Sequence, residues 1–212
     1  MKGDRCPFEI LYQDEDILAV YKKKDVLTIK SDDPKTFRHN LYYYLKKDVI
    51  KKDEELYVLH RLDYETSGIL VFPKKKEVHV LLQKTFLNRD VTREYEAVIQ
   101  EKIKLHESYE IHELLTDGKK VFSGSEGKEA ITSFESMNYI QIGTALKINI
   151  KTGRKNQIRL ALHDSGLTLL GDRRYSESEA KRMYLNHYHL VFPSYCRLKV
   201  SEFSVHPLWI NI

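Results

Sequence analysis

Three strings in this 212-residue chain gather side chains able to do chemistry. The first is His60-Arg61-Leu62-Asp63-Tyr64-Glu65-Thr66-Ser67-Gly68, which runs into the apolar stretch Ile69-Leu70-Val71-Phe72. Ionisable groups packed just ahead of a buried strand sit in a loop that a rigid scaffold positions. An arginine two before an aspartate, with Thr-Ser-Gly turn chemistry behind, can hold a carboxylate exposed at a strand end. A loop whose Asp and Thr satisfy backbone amides would look the same. The second string is Lys151-Thr152-Gly153-Arg154-Lys155-Asn156-Gln157-Ile158-Arg159. A glycine turn entering a helix offers backbone amides and a positive dipole end, here among cations, which suits an anion. An ordinary strand-to-helix connection with solvated basic residues is the plainer alternative. The third is Thr92 to Val98, a strand presenting Tyr95, one tyrosine among 14 and as easily explained by packing. His187 and His189, two apart on a strand, would share one face as some metal sites require, but no third ligand lies nearby.

The elements that must carry these strings are short and mixed. Glu9–Tyr12 and Ile17–Tyr21, around the acidic turn 13–16, read as a hairpin. Thr36–Lys47 and Lys76–Leu87 have apolar residues at helical spacing. Ala145–Lys151 alternates, with Leu146, Ile148 and Ile150 on one face of a half-buried strand. Asp117-Gly118 is a turn signal, Ser176 with Glu179 reads as a capping box opening a helix through Arg182, and 196–205 reads as a final strand bulged near Ser201. Strands outnumber helices and do not alternate regularly with them. The expected class is α+β, a mixed, largely antiparallel sheet with flanking helices.

Composition narrows the partner. Charged residues make up 31% and hydrophobic residues 42%, with 9 Gly and 5 Pro, as in a folded soluble domain. No window approaches a membrane span and the first residues lack a signal-peptide pattern, so a cytoplasmic protein is expected. Cys6 and Cys196 lie far apart and suggest neither disulfides nor a thiolate metal site. The segment 151–174 sets six cations against Asp164 and Asp172, a net +4 that equals the charge of the whole chain. Such a patch suits phosphates, although a solvated surface is the commoner reason for it. The lysine runs 22–24 and 74–76 read as solvated faces that touch phosphate weakly.

Taken together, in this order, the strings resemble the RluA-type pseudouridine synthase family. The resemblance rests on H-R-L-D with an acidic residue and T-S-G at His60 to Gly68, R-x-Y-x-A at Arg93 to Ala97, and G-K-x-A-x-T-x-aromatic at Gly127 to Phe134. T-G-R-x-x-Q-I-R at Thr152 to Arg159, G-D-x-x-Y at Gly171 to Tyr175 and L-x-F-P at Leu190 to Pro193 complete it. It spans roughly residues 9 to 205. Departures are Asn156 for the usual histidine, Lys23-Lys24-Asp25-Val26 for K-P-x-G, and Leu185-Asn186-His187 for L-H-A.

The resemblance implies a single catalytic domain over 1–212 with its active site in a central cleft and no separate N-terminal RNA-binding domain. The partner it implies is ribosomal or transfer RNA, and a monomer is expected. No cofactor or metal is implied, because breaking the glycosidic bond, turning the base and rejoining it through carbon needs neither redox chemistry nor a group donor. Asp63 would supply the carboxylate, Arg159 the cation that keeps it ionised, and Tyr95 the face that stacks on the uracil and the phenol that assists proton removal. Arg61 would replace the flipped base in the stack. His60, Thr66, Arg154, Lys155, Gln157 and Arg173 would meet RNA, and Ile158 and Leu160 would line the pocket. Two other classes compete. An RNA-binding or ribosome-assembly protein has no need of the carboxylate, and a glycosidase needs a second acid, for which Glu65 is the close candidate.

Overall fold

In the computed structural model, which describes residues 6–103, 109–116, 121–176 and 178–211, the chain divides into two compact units. The first comprises the chain up to Asp90 with Phe192–Val205, and the second comprises Val91–Val191 with His206 onward.

The first unit is built on the expected hairpin, β1 (Phe8–Gln13) and β2 (Ile17–Lys22). Its turn is closed by Asp14, whose Oδ1 accepts the amides of Asp16 (2.8 Å) and Ile17 (2.9 Å). β2 pairs antiparallel with β3 (Ser67–Pro73), every residue of which is buried. The register sets Lys22 opposite Gly68, so the end of the H-R-L-D string is stitched to the end of β2. Gly68 has φ +133°, a backbone that a side chain would oppose. Helix α2 runs over Lys76–Leu87, as its spacing predicts, with Leu82 and Thr85 buried. Helix α1, expected from Thr36, begins instead at Leu41 and ends at Asp48. The reason is Asn40: its backbone is extended and its side-chain oxygen accepts the Tyr43 amide (2.9 Å), a strong start signal that overrides the apolar spacing before it. Pro34–Thr36 form a separate 3-10 turn. The last strand is also shorter than expected. Ser194–Cys196 is a 3-10 turn, Arg197 is left-handed (φ +53°), and only Glu202–Ser204 (β10) is extended.

The second unit is an antiparallel sheet in the order β9-β4-β8-β7-β5-β6. Its strands are β4 (Thr92–Ile99), β5 (Tyr109–Thr116), β6 (Phe122–Gly124), β7 (Lys128–Ile140), β8 (Gly143–Ile150) and β9 (Leu185–Val191). Leu146, Ile148 and Ile150 of β8 are buried together, as their alternation predicts. Helix α3 (Gln157–Asp164) sets Leu160 into a cluster with Leu115, Val121, Ala130 and Tyr175. A second cluster joins Val98, Ile140 and Ala145 to Trp209. Two turn predictions fare differently. Asp117-Gly118 lies outside the described residues. The capping box at Ser176 and Glu179 forms no helix, because neighbouring groups already serve a loop: the Ser178 amide donates to the Asp172 carbonyl (3.1 Å) and Ser178 Oγ accepts the Gly171 amide (3.1 Å).

Candidate active site

Asp63 lies in the extended stretch before β3 and is half-buried. Both its neighbours are clamped by their main chain. On one side the buried Thr28 hydroxyl donates to the Leu62 carbonyl (2.9 Å) and accepts the Leu62 amide (3.1 Å). On the other, the Tyr64 carbonyl accepts the Val26 amide (3.2 Å) and Lys22 Nζ (3.3 Å). Lys22 is wholly buried, and its ammonium also donates to the carbonyls of Val26 (2.7 Å) and Lys23 (3.1 Å). A buried lysine is tolerated when oxygens surround it, and here the oxygens belong to the two loops it joins. Lys22 is therefore no solvated charge, contrary to the reading of the run 22–24. Within the departure from K-P-x-G, Asp25 takes the turn position, left-handed at φ +61°.

The residues expected to meet RNA in this string divide. Arg61 is exposed. Thr66, at 2% exposure, is closed to a macromolecule. His60 turns into the scaffold: Nε2 accepts the Val71 amide (3.2 Å) and the ring stacks on Phe86 with centroids 5.2 Å apart. An imidazole that accepts at Nε2 carries its proton on Nδ1.

In the second unit, β4 presents a buried Tyr95, whose ring stacks on His187 at 4.6 Å and 21°. The pairing of β4 with β9 shifts between Glu94 and Tyr95, so that Tyr95 faces His187 while Glu94 faces His189. Alternation along β4 puts Glu94 and Tyr95 on opposite faces, and the extra residue, Tyr188, carries the same reversal into β9. The two histidines thus do not share a face, and the expected pairing fails for that reason. His189 Nδ1 and the Tyr188 hydroxyl meet Glu94 Oε2 at 2.7 and 2.9 Å, and Lys147 Nζ meets Oε1 at 2.9 Å. Burial raises the Glu94 carboxyl, but these three partners outweigh it and hold it below the ordinary value. Among the described residues, no group of three His, Cys, Asp or Glu side chains is placed to hold a metal.

The turn into α3 is occupied by its own side chains. Gln157 Oε1 accepts the Thr152 hydroxyl and the Arg154 amide (both 2.9 Å), while Nε2 donates to the Ile131 carbonyl and Thr132 Oγ1 (both 3.0 Å). All four hydrogen-bonding positions of this buried amide are filled, so Gln157 latches the turn to β7 and is not an RNA contact. It also takes the Arg154 amide that an anion would have used. Lys155 and Arg173 are exposed, and Arg154 is half-buried with Nε donating to the Glu129 carbonyl (2.8 Å). Lys151 is met by Glu110 of β5 at 2.9 Å, a carboxylate from outside the basic segment. Ile158 and Leu160 are buried, Leu160 within the core cluster under β5 and β7.

Arg159, 4% exposed, is gripped by Asp172, which is fully buried. Nε donates to Oδ2 and Nη2 to Oδ1, each at 2.7 Å, a two-pronged match of fork to carboxylate. Oδ1 also accepts the amides of Arg174 (2.8 Å) and Tyr175 (3.2 Å). Burial pushes the Asp172 carboxyl up, but Arg159 and the two amides prevail and hold it below the usual range. Asn156, left-handed at φ +55°, donates from Nδ2 to the Tyr175 hydroxyl (3.1 Å), which donates in turn to the Val121 carbonyl (3.3 Å). Three residues escape the sequence reading: Lys22, Thr28 and Asp172. The G-D-x-x-Y element is visible in the sequence, but nothing in it says that its aspartate meets an arginine 13 positions earlier.

The family described as RNA pseudouridylate synthase matches residues 16–164, which include the H-R-L-D loop, Tyr95 and Arg159. The chain belongs to that family. It is an RNA pseudouridine synthase, an isomerase. An uncharacterised RNA pseudouridine synthase of Helicobacter pylori is 31% identical over 191 residues, which cover 88% of this chain and 72% of the relative. Ribosomal large subunit pseudouridine synthase D of Escherichia coli is 29% identical over 182 residues, covering 80% of this chain and 52%, about half, of the relative. The fold is similar to that of human RNA pseudouridylate synthase domain containing 4, with a TM-score of 0.75 over 95% of this chain and 90% of the other at 18% identity. The α+β class with a largely antiparallel sheet, expected from the strand count, is the fold of this family. Among the described residues no helix is long and apolar enough to cross a membrane.

Proposed function

We propose that the chain converts uridine to pseudouridine in ribosomal RNA, with Asp63 as the carboxylate that acts at the sugar and base. The observation that carries this is the clamped loop. Asp63 stands half-buried between two neighbours whose backbones are fixed by Thr28, Val26 and the buried Lys22. A carboxylate held this way loses little freedom when substrate arrives. The ribosomal substrate is supported by the name of the Escherichia coli relative.

Tyr95 supplies the stacking face and a phenol, its ring already ordered by His187. Arg159 supplies a cation to the reaction, and the Asp172 fork presets its orientation. Arg61 is the exposed side chain that fills the gap left by the flipped base. RNA phosphates are met by Arg154, Lys155 and Arg173. Residues 1–212 work as one catalytic domain, a monomer in the cytoplasm. The reaction is an isomerisation, so these side chains have no cofactor to hold.

The test compares pseudouridine maps of ribosomal RNA incubated with the unaltered protein and with Asp63→Asn, which keeps size and removes charge. The expected result is at least one new pseudouridine with the unaltered protein and none with the folded variant. Product formation by Asp63→Asn would refute the assignment.

A further inference from the structure

Two large aromatic side chains stand in solvent, one on the Asp63 loop and one on the loop before α1, and the chemistry described so far uses neither. Phe37 is 56% exposed and Tyr64 is 46% exposed. Single exposed apolar residues are common on any protein, so exposure alone decides nothing. What distinguishes this pair is the rigidity of the backbone beneath and the company of cations.

Tyr64 follows Asp63 directly, and its carbonyl is the one held by Val26 and Lys22. Phe37 stands on the loop before α1, and that loop is tied down as firmly. The buried Asn40 donates from Nδ2 to the carbonyls of Thr36 (2.8 Å) and Phe37 (3.1 Å), and the Phe37 amide donates to Pro34 (3.2 Å). Thr36 Oγ1 closes the other end, accepting the Ser31 amide (2.9 Å) and donating to the Asp33 carbonyl (2.7 Å).

Both loops hang on one short segment, residues 26–28. Through Val26 and Thr28 it bonds Tyr64 and Leu62. Through the carbonyls of Leu27 and Thr28 it accepts the amides of Leu41 (2.8 Å) and Tyr42 (3.0 Å), and Leu27 bridges Asn40.

The cations are Lys30, Lys35 and Arg38, all exposed. Lys30 Nζ lies 5.5 Å from the Phe37 ring centroid. Among the described residues no carboxylate pairs with any of the three side chains. Asp32 and Asp33 share this stretch, and Asp33 Oδ1 is turned back to accept the Lys35 amide (2.9 Å), which leaves the three cationic side chains open to solvent. Exposed rings with cations beside them are the composition of a surface for single-stranded nucleic acid, in which bases stack and phosphates are neutralised.

We propose that Phe37 and Tyr64 form a stacking platform for unpaired nucleotides of the RNA that flank the target uridine, with Lys30, Lys35 and Arg38 on their phosphates. The proposal rests on the reading of Asp63 as the active carboxylate, which places the target beside Tyr64. It adds a second recognition surface to the segment 151–174, and one that distinguishes unpaired from paired RNA.

The test measures the affinity of the full chain for a short oligouridine strand and for the same strand annealed to oligoadenosine. Phe37→Ala and Tyr64→Ala should each weaken single-strand binding by about tenfold and duplex binding by less than twofold, because a paired base has no open face to offer. Tyr64→Phe and Phe37→Trp, which keep a ring, should restore the single-strand affinity. The emission of the indole introduced by Phe37→Trp should fall on adding single strand and stay constant with duplex, a signal that mere misfolding would not give. Losses under twofold on single strand, or equal losses on both forms, would overturn the platform, as would variants that change self-association and leave RNA binding alone. Pseudouridine formation by the unaltered protein is measured alongside. Its absence, with the stacking losses present, would count against the proposed reaction and not against the platform.

Discussion

Asp172→Asn should destabilise this protein more than most single substitutions. The carboxylate is fully buried and makes two 2.7 Å hydrogen bonds to a guanidinium that is 4% exposed, so water screens neither partner. An amide of the same shape leaves a buried positive charge uncompensated and turns an NH2 group toward donors. Breaking a buried pair from one side costs about 3–5 kcal/mol. Against a total stability of roughly 5–15 kcal/mol, that is a large fraction. With a urea slope of roughly 2–3 kcal/mol/M, the unfolding midpoint should fall by about 1–2 M. The double change Asp172→Leu with Arg159→Leu should recover much of the loss, since replacing both charges by apolar groups is often near neutral. Acid sharpens the test. The Asp172 carboxyl is held below its ordinary 3.8 in the folded protein, so its contribution is complete above that pH and disappears as pH falls through the depressed folded value. The gap between the unaltered protein and Asp172→Asn should close in the same range. A midpoint change under about 0.3 M, or a double variant as unstable as the sum of the single ones, would refute the reasoning.

Two further outcomes are expected. Glu113 of β5 is pushed up from 4.5 to about 7, first by burial and then by the charge and hydrogen bond of Asp164, itself bonded by the Ser123 hydroxyl. A carboxyl raised in the folded state holds its proton more tightly there than in the unfolded chain, so stability should decline as pH rises from 4.5 through 7. Glu113→Gln should remove that decline, raising the thermal midpoint at pH 8 by on the order of 2–4 °C and leaving it little changed at about pH 5; an unchanged pH profile would contradict this. Tyr95→Phe should keep the stack on His187 and slow product formation, while Tyr95→Leu should also lose about 0.5–1.5 kcal/mol of aromatic pairing, read by urea unfolding and turnover together. Equal behaviour of the two variants would remove the separate role of the phenol.

What depends on local chemistry can be read from the order of the amino acids. The β1–β2 hairpin, α2 and the alternating strand β8 follow from apolar spacing and turn residues that act within a few positions, and the structure has them within one or two residues. The order of the strings from His60 to Tyr175 was enough to point to the family, because each string carries residue types that a fold alone does not require. Local signals in competition were less legible. Asn40 outranks the spacing of 36–47, and the serine cap at 176 yields no helix because Gly171 and Asp172 engage Ser178. Which polar groups are open to a ligand depends on packing between distant parts of the chain. Thr66 and Gln157 look like RNA contacts in one dimension, but both are buried, and Gln157 also has its hydrogen bonds filled within the scaffold. Lys22 looks like surface charge and is the buried donor behind the Asp63 loop. One inserted residue, Tyr188, turns His187 and His189 to opposite faces. For Gln157, Lys22 and the two histidines a deciding partner comes from another element of the fold, at a distance along the chain that no local pattern encodes.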